Sequence, residues 1–175
     1  DGTTTKLNAP GTHFDAQLRE KLDELVVERS KGADWVVLAG SLPPGLEPTY
    51  YSELVAALRA SGYTGKIAID TSEAPLIATV AGEHKPTLIK PNSEELAQLT
   101  GSDNWEELEA SPELTARTAQ KLLGGGIEYV LATLGGGGAV LVTEQGIWHA
   151  VHEPIQVRST VGAGDSSLSG FLIAH

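Results

Sequence analysis

The chain has 175 residues, 41% of them hydrophobic, and this length and composition predict one domain with a substantial apolar core. Twelve Lys and Arg residues stand against 23 Asp and Glu residues, and the formal charge of −11 argues against nucleic acid or an anionic membrane as a partner. No apolar run approaches the ~18 residues of a membrane span, and cysteine is absent, so we predict a cytoplasmic protein without disulfides.

The first predicted element is an amphipathic helix over residues 13–32. Its apolar residues recur at helical spacing: Phe14, Leu18, Leu22, Leu25 and Val26. The chain contains no methionine, and we therefore expect that it starts inside a longer protein.

Short apolar runs and helical segments alternate through the middle of the chain. The predicted strands lie in DWVVLAGSL (34–42), KIAID (66–70), TLIKPN (87–92) and EYVLATL (128–134), and the first of these reads as buried on both faces. The predicted helices cover 48–60, 74–81, a segment from residue 93, and 114–123. This alternation predicts a parallel sheet with helices on its faces. Two β-rich runs around Gln145 and Gly146 then predict a hairpin near residues 138–153.

A polar or glycine-rich segment follows each predicted strand. These segments are GSLPPG (40–45), DTS (70–72), KPNSEE (90–95) and TLGGGG (133–138). In a sheet of this kind, ligands bind beyond the carboxyl ends of the strands. The glycines of TLGGGG would let the backbone approach a nucleotide, although a flexible connector would have the same composition. GSLPPG is equally consistent with a rigid turn.

The KPNSEE segment has two interpretations. Asn92 and Glu95 are three residues apart at a helix start, and their oxygens suit Mg²⁺ held through water. Alternatively, Ser93 caps the helix and Glu95 favours its positive end.

The segment STVGAGDSSLSG (159–170) predicts a turn that leads into a helix. The backbone amides of Ala163, Gly164 and Asp165 would lie at the helix N-terminus, where they attract an anion such as phosphate. Asp165 is then placed to accept a proton from an attacking hydroxyl, although it could simply be an acid in the first turn. A dinucleotide-binding fingerprint is disfavoured because Ser167 replaces its third glycine. The helix reaches His175 without a cap, and we expect it to continue beyond the chain.

The order of GSLPPG, KPNSEE, TLGGGG and STVGAGDSSLSG resembles the ribokinase family of carbohydrate kinases, of the phosphofructokinase-B type. The resemblance implies a three-layer α/β/α sandwich with a mostly parallel sheet and ATP-dependent phosphoryl transfer. It implies Asp165 as the catalytic base, with the backbone amides of Ala163, Gly164 and Asp165 as the anion hole and Gly162 as a further residue of the catalytic segment. It also implies that Asn92 and Glu95 organise Mg²⁺. The residues implied to line the ATP site are Lys90, Asn92, Glu95, Thr133, Gly135 and Gly138.

Within the family, SLPPG and the opening DGTTTKLNAPG resemble the members that act on phosphosugars. This implies fructose 1-phosphate as the substrate, with Lys6, Asn8 and Ser41 toward it. Kinases of tagatose 6-phosphate or fructose 6-phosphate, and a non-catalytic nucleotide-binding relative, are the alternatives. The resemblance also implies that residues 1–175 are a partial nucleotide- and sugar-binding domain without the N-terminal lid and the C-terminal end, and we expect such a domain to form a homo-oligomer.

Overall fold

The computed structural model describes residues 11–153 and 160–175, and a six-stranded sheet lies at its centre. The strands are β1 (Trp35–Ala39), β2 (Lys66–Asp70), β3 (Leu88–Ile89), β4 (Tyr129–Thr133), β5 (Ala139–Val142) and β6 (Ile147–Ala150), and they lie in this order across the sheet. Strands β1 to β4 are parallel, and β5 and β6 add an antiparallel hairpin. The predicted parallel sheet and hairpin are therefore confirmed.

The described residues also form seven α-helices. These are α1 (Ala16–Ser30), α2 (Tyr50–Ala60), α3 (Glu73–Ala81), α4 (Ser93–Thr100), α5 (Trp105–Ala110), α6 (Pro112–Gln120) and α7 (Ala163–Ala174). Helix α1 starts later than predicted because the Asp15 side chain caps it, accepting the Leu18 N–H at 2.8 Å. Helix α6 starts earlier than predicted because Ser111 caps it and Pro112 occupies its first position. Within the described part of the chain, no helix is both long and apolar enough to cross a membrane.

Helices cover both faces of the sheet, as a three-layer sandwich requires. On one face, all of α1 to α6 pack on the strands around a core that includes Leu58, Ile67, Ile69, Leu96, Val130 and Val140. On the other face, Leu168 of α7 packs on Ala68 and Leu88. Trp35, Tyr129 and Phe171 extend this second cluster at tilted and edge-to-face ring angles. The predicted α/β/α architecture is confirmed.

Two details of the predicted packing are wrong. Strand β1 is not buried on both faces, because it lies at one edge of the sheet and Val37 stays 42% exposed. Helix α1 packs on the core through Leu22 and Val26, whereas Leu18 and Leu25 are exposed. The apolar spacing of α1 therefore predicted the helix but overestimated the width of its buried face.

Candidate active site

The carboxyl ends of β2, β3 and β4 meet the amino end of α7 around a cavity of about 400 Å³. This volume is within the range of roughly 300–1,000 Å³ that is typical of small-molecule sites. The predicted site residues that line the cavity are Lys90, Asn92, Glu95, Thr133, Gly135 and Gly164. Parallel pairing explains their convergence, since it brings the carboxyl ends of neighbouring strands to one edge of the sheet.

A buried ion pair lies in this cavity. The Lys90 Nζ atom is 3.0 Å from Oδ1 of Asp70, and the Lys90 side chain is almost fully buried. A buried ammonium needs such a partner, because an unpaired charge inside the protein carries a large desolvation cost. Sequence reasoning placed Asp70 at a strand end but gave it no role. The pairing of Asp70 with Lys90 could have been predicted, because the DTS and KPNSEE segments follow two strands that are neighbours in the sheet.

The amino end of α7 lies against Lys90. Gly162 is the N-cap of α7, with a left-handed φ of 80°. A Cβ atom built on Gly164 would lie 3.0 Å from the Lys90 Nζ, so the glycine allows the backbone and the ammonium to approach each other. The positive end of the helix and a lysine thus point to the same place, and this arrangement favours an anion.

Asp165 occupies the first turn of α7 and its side chain is exposed. Of the three amides predicted to bind an anion, the Ala163 N–H already donates to the Thr160 carbonyl at 3.2 Å. The amides of Gly164 and Asp165 are in the turn where N–H groups lack partners within the helix. The structure therefore brings Gly164 of the predicted anion-binding backbone to the Lys90 cavity, whereas the neighbouring Gly162, Ala163 and Asp165 do not line it.

Asn92 and Glu95 form a capping box at the start of α4. The Asn92 Oδ1 accepts the Glu95 N–H at 2.9 Å, and the Glu95 Oε2 accepts the Asn92 N–H at 2.8 Å. The alternative interpretation of Ser93 as the cap is wrong, since Asn92 is the N-cap and Ser93 Oγ donates to the Thr133 carbonyl at 3.5 Å. Burial raises the pKa of the Glu95 carboxyl, whereas the Asn92 N–H and the charge of Lys90 oppose this rise.

The capping box leaves some capacity for a cation. Each oxygen of a carboxylate can accept more than one hydrogen bond or metal contact, so Glu95 retains free lone pairs beside the cavity. Among residues 11–153 and 160–175, no three His, Asp or Glu side chains converge as they do in an all-protein metal site. The free lone pairs of the Glu95 carboxylate would suit a magnesium ion held through water and phosphate oxygens, which is the usual mode for Mg²⁺.

The glycine-rich segment after β4 forms a hydrogen-bonded turn. Gly135–Gly137 form one turn of 3₁₀-helix, and the Leu134 N–H donates to the Gly138 carbonyl at 2.8 Å. The His149 Nε2 lies 2.8 Å from the Gly137 carbonyl oxygen. Gly138 is not among the residues that line the cavity, and it faces β6 instead. The turn thus presents Gly135 to the cavity, while Gly138 allows the chain to pass β6.

Gly138→Ala is expected to destabilise the protein strongly. The φ of Gly138 is 89°, and an added Cβ would lie 2.0 Å from the Ala150 carbonyl oxygen. Backbone strain of about 1–2 kcal/mol and a steric clash of about 1–3 kcal/mol both oppose the substitution. We expect the free energy of unfolding in urea to fall by at least about 2 kcal/mol. Gly136→Ala is the matched control, because nothing lies within 4 Å of its added Cβ. Equal midpoints for the two variants would contradict this account of Gly138.

The GSLPPG segment is anchored at the same edge of the sheet. The Gly40 N–H donates to the Asp70 carbonyl at 2.8 Å, and the Gly40 carbonyl accepts the hydroxyls of Tyr51 at 3.0 Å and Thr71 at 2.9 Å. Ser41 follows β1 and is exposed, but it does not line the Lys90 cavity. Lys6 and Asn8, the other predicted sugar-binding residues, lie outside the described residues.

Comparison with known proteins gives one family and one fold. The family model for pfkB family carbohydrate kinases matches residues 1–174. Phosphofructokinase-2 from Escherichia coli in complex with fructose-6-phosphate is 29% identical, with a TM-score of 0.81 over 95% of this chain and 52% of that one. The tetrameric inhibited form of phosphofructokinase-2 from Escherichia coli is 30% identical, with a TM-score of 0.80 and the same coverage of 95% and 52%.

A more distant structure shares the fold. It is named Possible 1-phosphofructokinase, from Thermotoga maritima, and is 20% identical, with a TM-score of 0.76 over 98% of this chain and 52% of that one. The chain thus spans about half the length of the solved structures it matches.

Proposed function

The chain belongs to the pfkB family of carbohydrate kinases, and from this premise we propose that it carries the phosphoryl-transfer centre of a phosphosugar kinase that uses ATP. One observation carries the proposal: the amino end of α7, with Asp165 in its first turn, lies beside the buried Lys90 in a cavity at the carboxyl ends of the strands. Transfer of a phosphoryl group requires a base, a positive charge and hydrogen-bond donors near the transferring group, and Asp165, Lys90 and the amino end of α7 are the residues proposed to supply them.

The proposed reaction begins when the Asp165 carboxylate accepts the proton of a sugar hydroxyl. The hydroxyl oxygen forms a bond to the γ-phosphorus of ATP, and the bond from that phosphorus to the bridging oxygen breaks, so that ADP leaves with the bonding electrons. The backbone amides of α7 and the Lys90 ammonium stabilise the negative charge on the transferring group. Asp70 holds the Lys90 Nζ in place through the 3.0 Å ion pair.

Asn92 and Glu95 are the residues proposed to organise magnesium, through water. The cation would neutralise part of the phosphate charge, which the acidic side chains of the cavity would otherwise repel. Lys90, Thr133 and Gly135 line the cavity in which the phosphates would lie. Gly138 does not line the cavity, and its proposed role is to let the backbone of the glycine turn pass close to β6.

We propose fructose 1-phosphate as the acceptor, so that the product is fructose 1,6-bisphosphate and the activity is that of a 1-phosphofructokinase. The support is the resemblance of SLPPG and DGTTTKLNAPG to phosphosugar kinases. A 6-phosphofructokinase is the second candidate, because the related phosphofructokinase-2 from Escherichia coli was solved with fructose-6-phosphate. Tagatose 6-phosphate as the acceptor and a nucleotide-binding relative without catalysis are the remaining alternatives. A homo-oligomer is proposed because that relative has a tetrameric form, and the cytoplasmic location stays a prediction.

The complete gene product is expected to prefer fructose 1-phosphate. A coupled assay of ADP release would give kcat/KM for fructose 1-phosphate, fructose 6-phosphate, tagatose 6-phosphate and ribose, and we expect the first value to be the highest. Equal values, or a higher value for another sugar, would refute this choice of substrate. ATP binding without turnover of any sugar would favour the nucleotide-binding alternative.

A further inference from the structure

The first peptide group after β1 is held by two hydroxyls that have no part in the phosphoryl-transfer centre. Strand β1 ends at Ala39, so the Gly40 carbonyl lies beyond the ladder that pairs β1 with β2. The Tyr51 hydroxyl donates to this oxygen at 3.0 Å, and the Thr71 hydroxyl donates to it at 2.9 Å. A carbonyl oxygen has two lone pairs, so these two donors use its full capacity.

Both hydroxyls belong to buried side chains, Tyr51 on α2 and Thr71 directly after β2. The Tyr51 hydroxyl also lies 3.1 Å from the Ala39 carbonyl oxygen. Burial, and then the charge of Asp70, raise the pKa of the Tyr51 phenol, so its proton stays available to these carbonyls. A buried hydroxyl without a partner carries a desolvation cost, and both side chains therefore favour one position of the Gly40 carbonyl.

Gly40 also connects the GSLPPG segment to the ion pair in the cavity. Its N–H donates to the Asp70 carbonyl at 2.8 Å, and the Asp70 carboxylate is the partner of the Lys90 Nζ. Near the other end of the segment, the Pro44 carbonyl accepts a backbone hydrogen bond of 2.8 Å from the residues before α1. The exposed Ser41 lies between these two anchors. One residue, Asp70, therefore holds both the start of GSLPPG and the ammonium of Lys90.

We propose that Tyr51 and Thr71 are positioning residues for the acceptor sugar. Their hydroxyls fix the Gly40 carbonyl, and through it they fix the GSLPPG segment, with Ser41, relative to Lys90. The sugar is then presented to the phosphate side at one distance, and even a small misplacement there is costly. This inference rests on the proposed function, because it takes GSLPPG to lie on the sugar side.

The first test removes one hydroxyl at a time from the complete gene product. Thr71→Val keeps the shape of the side chain but removes one donor, and Tyr51→Phe removes the other. The assay uses whichever of fructose 1-phosphate, fructose 6-phosphate, tagatose 6-phosphate and ribose gives the highest kcat/KM with the wild type. Each variant is expected to raise KM for that sugar about 3- to 10-fold, as the loss of one hydrogen bond does. The affinity for magnesium–ATP, measured by calorimetry, should be unchanged. Thr71→Ser keeps the hydroxyl and should have a KM close to that of the wild type.

Two matched controls remove equivalent hydrogen bonds away from this segment. The Tyr63 hydroxyl donates to the Lys66 carbonyl at 3.0 Å at the amino end of β2, and the Thr79 hydroxyl donates to the Pro75 carbonyl at 2.7 Å within α3. Tyr63→Phe and Thr79→Val should lower the midpoint of urea unfolding, as the test variants do, but they should leave KM for the sugar unchanged. A rise in KM as large as that of the test variants would show that lost stability alone is the cause, and it would overturn the proposal.

The second test asks whether the two hydroxyls act on the same carbonyl. Each single variant leaves one donor on the Gly40 oxygen, whereas Tyr51→Phe combined with Thr71→Val leaves neither. The double variant should therefore raise KM by more than the product of the two single effects. An effect equal to that product would show that the hydroxyls act independently, and it would overturn the Gly40 carbonyl as their common point of action.

Two further outcomes would overturn the positioning role. They are an unchanged KM for the sugar in both single variants, and a loss of ATP affinity as large as the rise in KM. If Thr71→Val does not fold, Tyr51→Phe decides the question alone, because it removes a donor from the same oxygen. The proposed function fails in a different way: the wild type would then phosphorylate none of the four sugars, and the positioning role would fall with it.

Discussion

Asp165→Asn is expected to lower kcat of the complete gene product by about 10²- to 10⁴-fold, the range typical of a lost general base. An amide has almost the same shape as a carboxylate, but it cannot accept the proton of the attacking hydroxyl. The Asp165 side chain is exposed and makes no hydrogen bond or ion pair with another described residue, so the fold does not depend on its charge. The affinity for ATP should therefore stay close to that of the wild type.

A surface acid gives the control for this experiment. Asp103 is exposed in the loop between α4 and α5 and does not line the cavity. Asp103→Asn removes the same charge and should leave kcat unchanged. The interaction of the Asp165 carboxylate with the helix dipole stabilises the fold by only about 0.3–1 kcal/mol. Its removal is therefore too small a change to cause the expected fall in kcat. Retention of more than half of the wild-type turnover by Asp165→Asn would show that Asp165 is not the base.

The sheet could be predicted from the sequence because local patterns encode it. KIAID and EYVLATL are short apolar runs between helical segments, and they became β2 and β4. The position of a strand within the sheet is not local information. The run that forms β1 has the same composition as a central strand, yet β1 lies at an edge and Val37 is exposed.

Helix α5 could not be predicted by periodicity. It has only six residues, and Leu108 is its one buried side chain, so no apolar repeat can appear. The surrounding sequence, NWEELEASPE, is acidic and resembles a solvated surface. Its importance for the cavity comes from packing, since Trp105 and Glu109 reach the site only after Leu108 is buried in the core.

Some residues of the candidate site could be predicted from local motifs, whereas their contacts depend on the tertiary structure. Asp165, Gly164 and Lys90 stood in recognisable motifs, and the structure brings Gly164 and Lys90 into contact. The partner of Lys90 could not be read from a motif, because Asp70 is 20 residues away and meets it only through the pairing of β2 with β3. The choice of Asn92 over Ser93 as the cap also needed geometry, since both residue types cap helices well.

The isolated chain of residues 1–175 is expected to show no measurable kinase activity and to associate with copies of itself. Phosphoryl transfer depends on positioning, and a misplacement of about 1 Å can cost 10²-fold in rate. Ser41, the described residue assigned to the sugar, is exposed and does not reach the cavity. The chain also spans about half the length of the structures it matches, so the groups that would close the sugar side are expected elsewhere.

Self-association follows from apolar surface that the described residues leave uncovered. Among residues 11–153 and 160–175, α7 is the one helix that covers its face of the sheet, and both outermost strands carry exposed side chains, with Trp148 on β6 at 52% exposure. Ile173 on α7 is 88% exposed. Exposed edges and apolar patches promote pairing between chains. Light scattering should therefore give a mass above that of the monomer, and Trp148→Lys should lower it, because a charge on an edge strand opposes pairing.

The two halves of this prediction can fail separately. In the coupled assay with fructose 1-phosphate and ATP, the complete gene product is the positive control and its Asp165→Asn variant sets the background. Turnover by the isolated chain near the rate of the complete product would show that residues 1–175 already hold and enclose the sugar. A monomeric mass at every concentration tested would show that the exposed faces of β1, β6 and α7 do not drive association. An isolated chain that is inactive yet still binds tripolyphosphate would locate the missing function on the sugar side, because the groups proposed to hold phosphate, Lys90 and the amino end of α7, lie within residues 1–175.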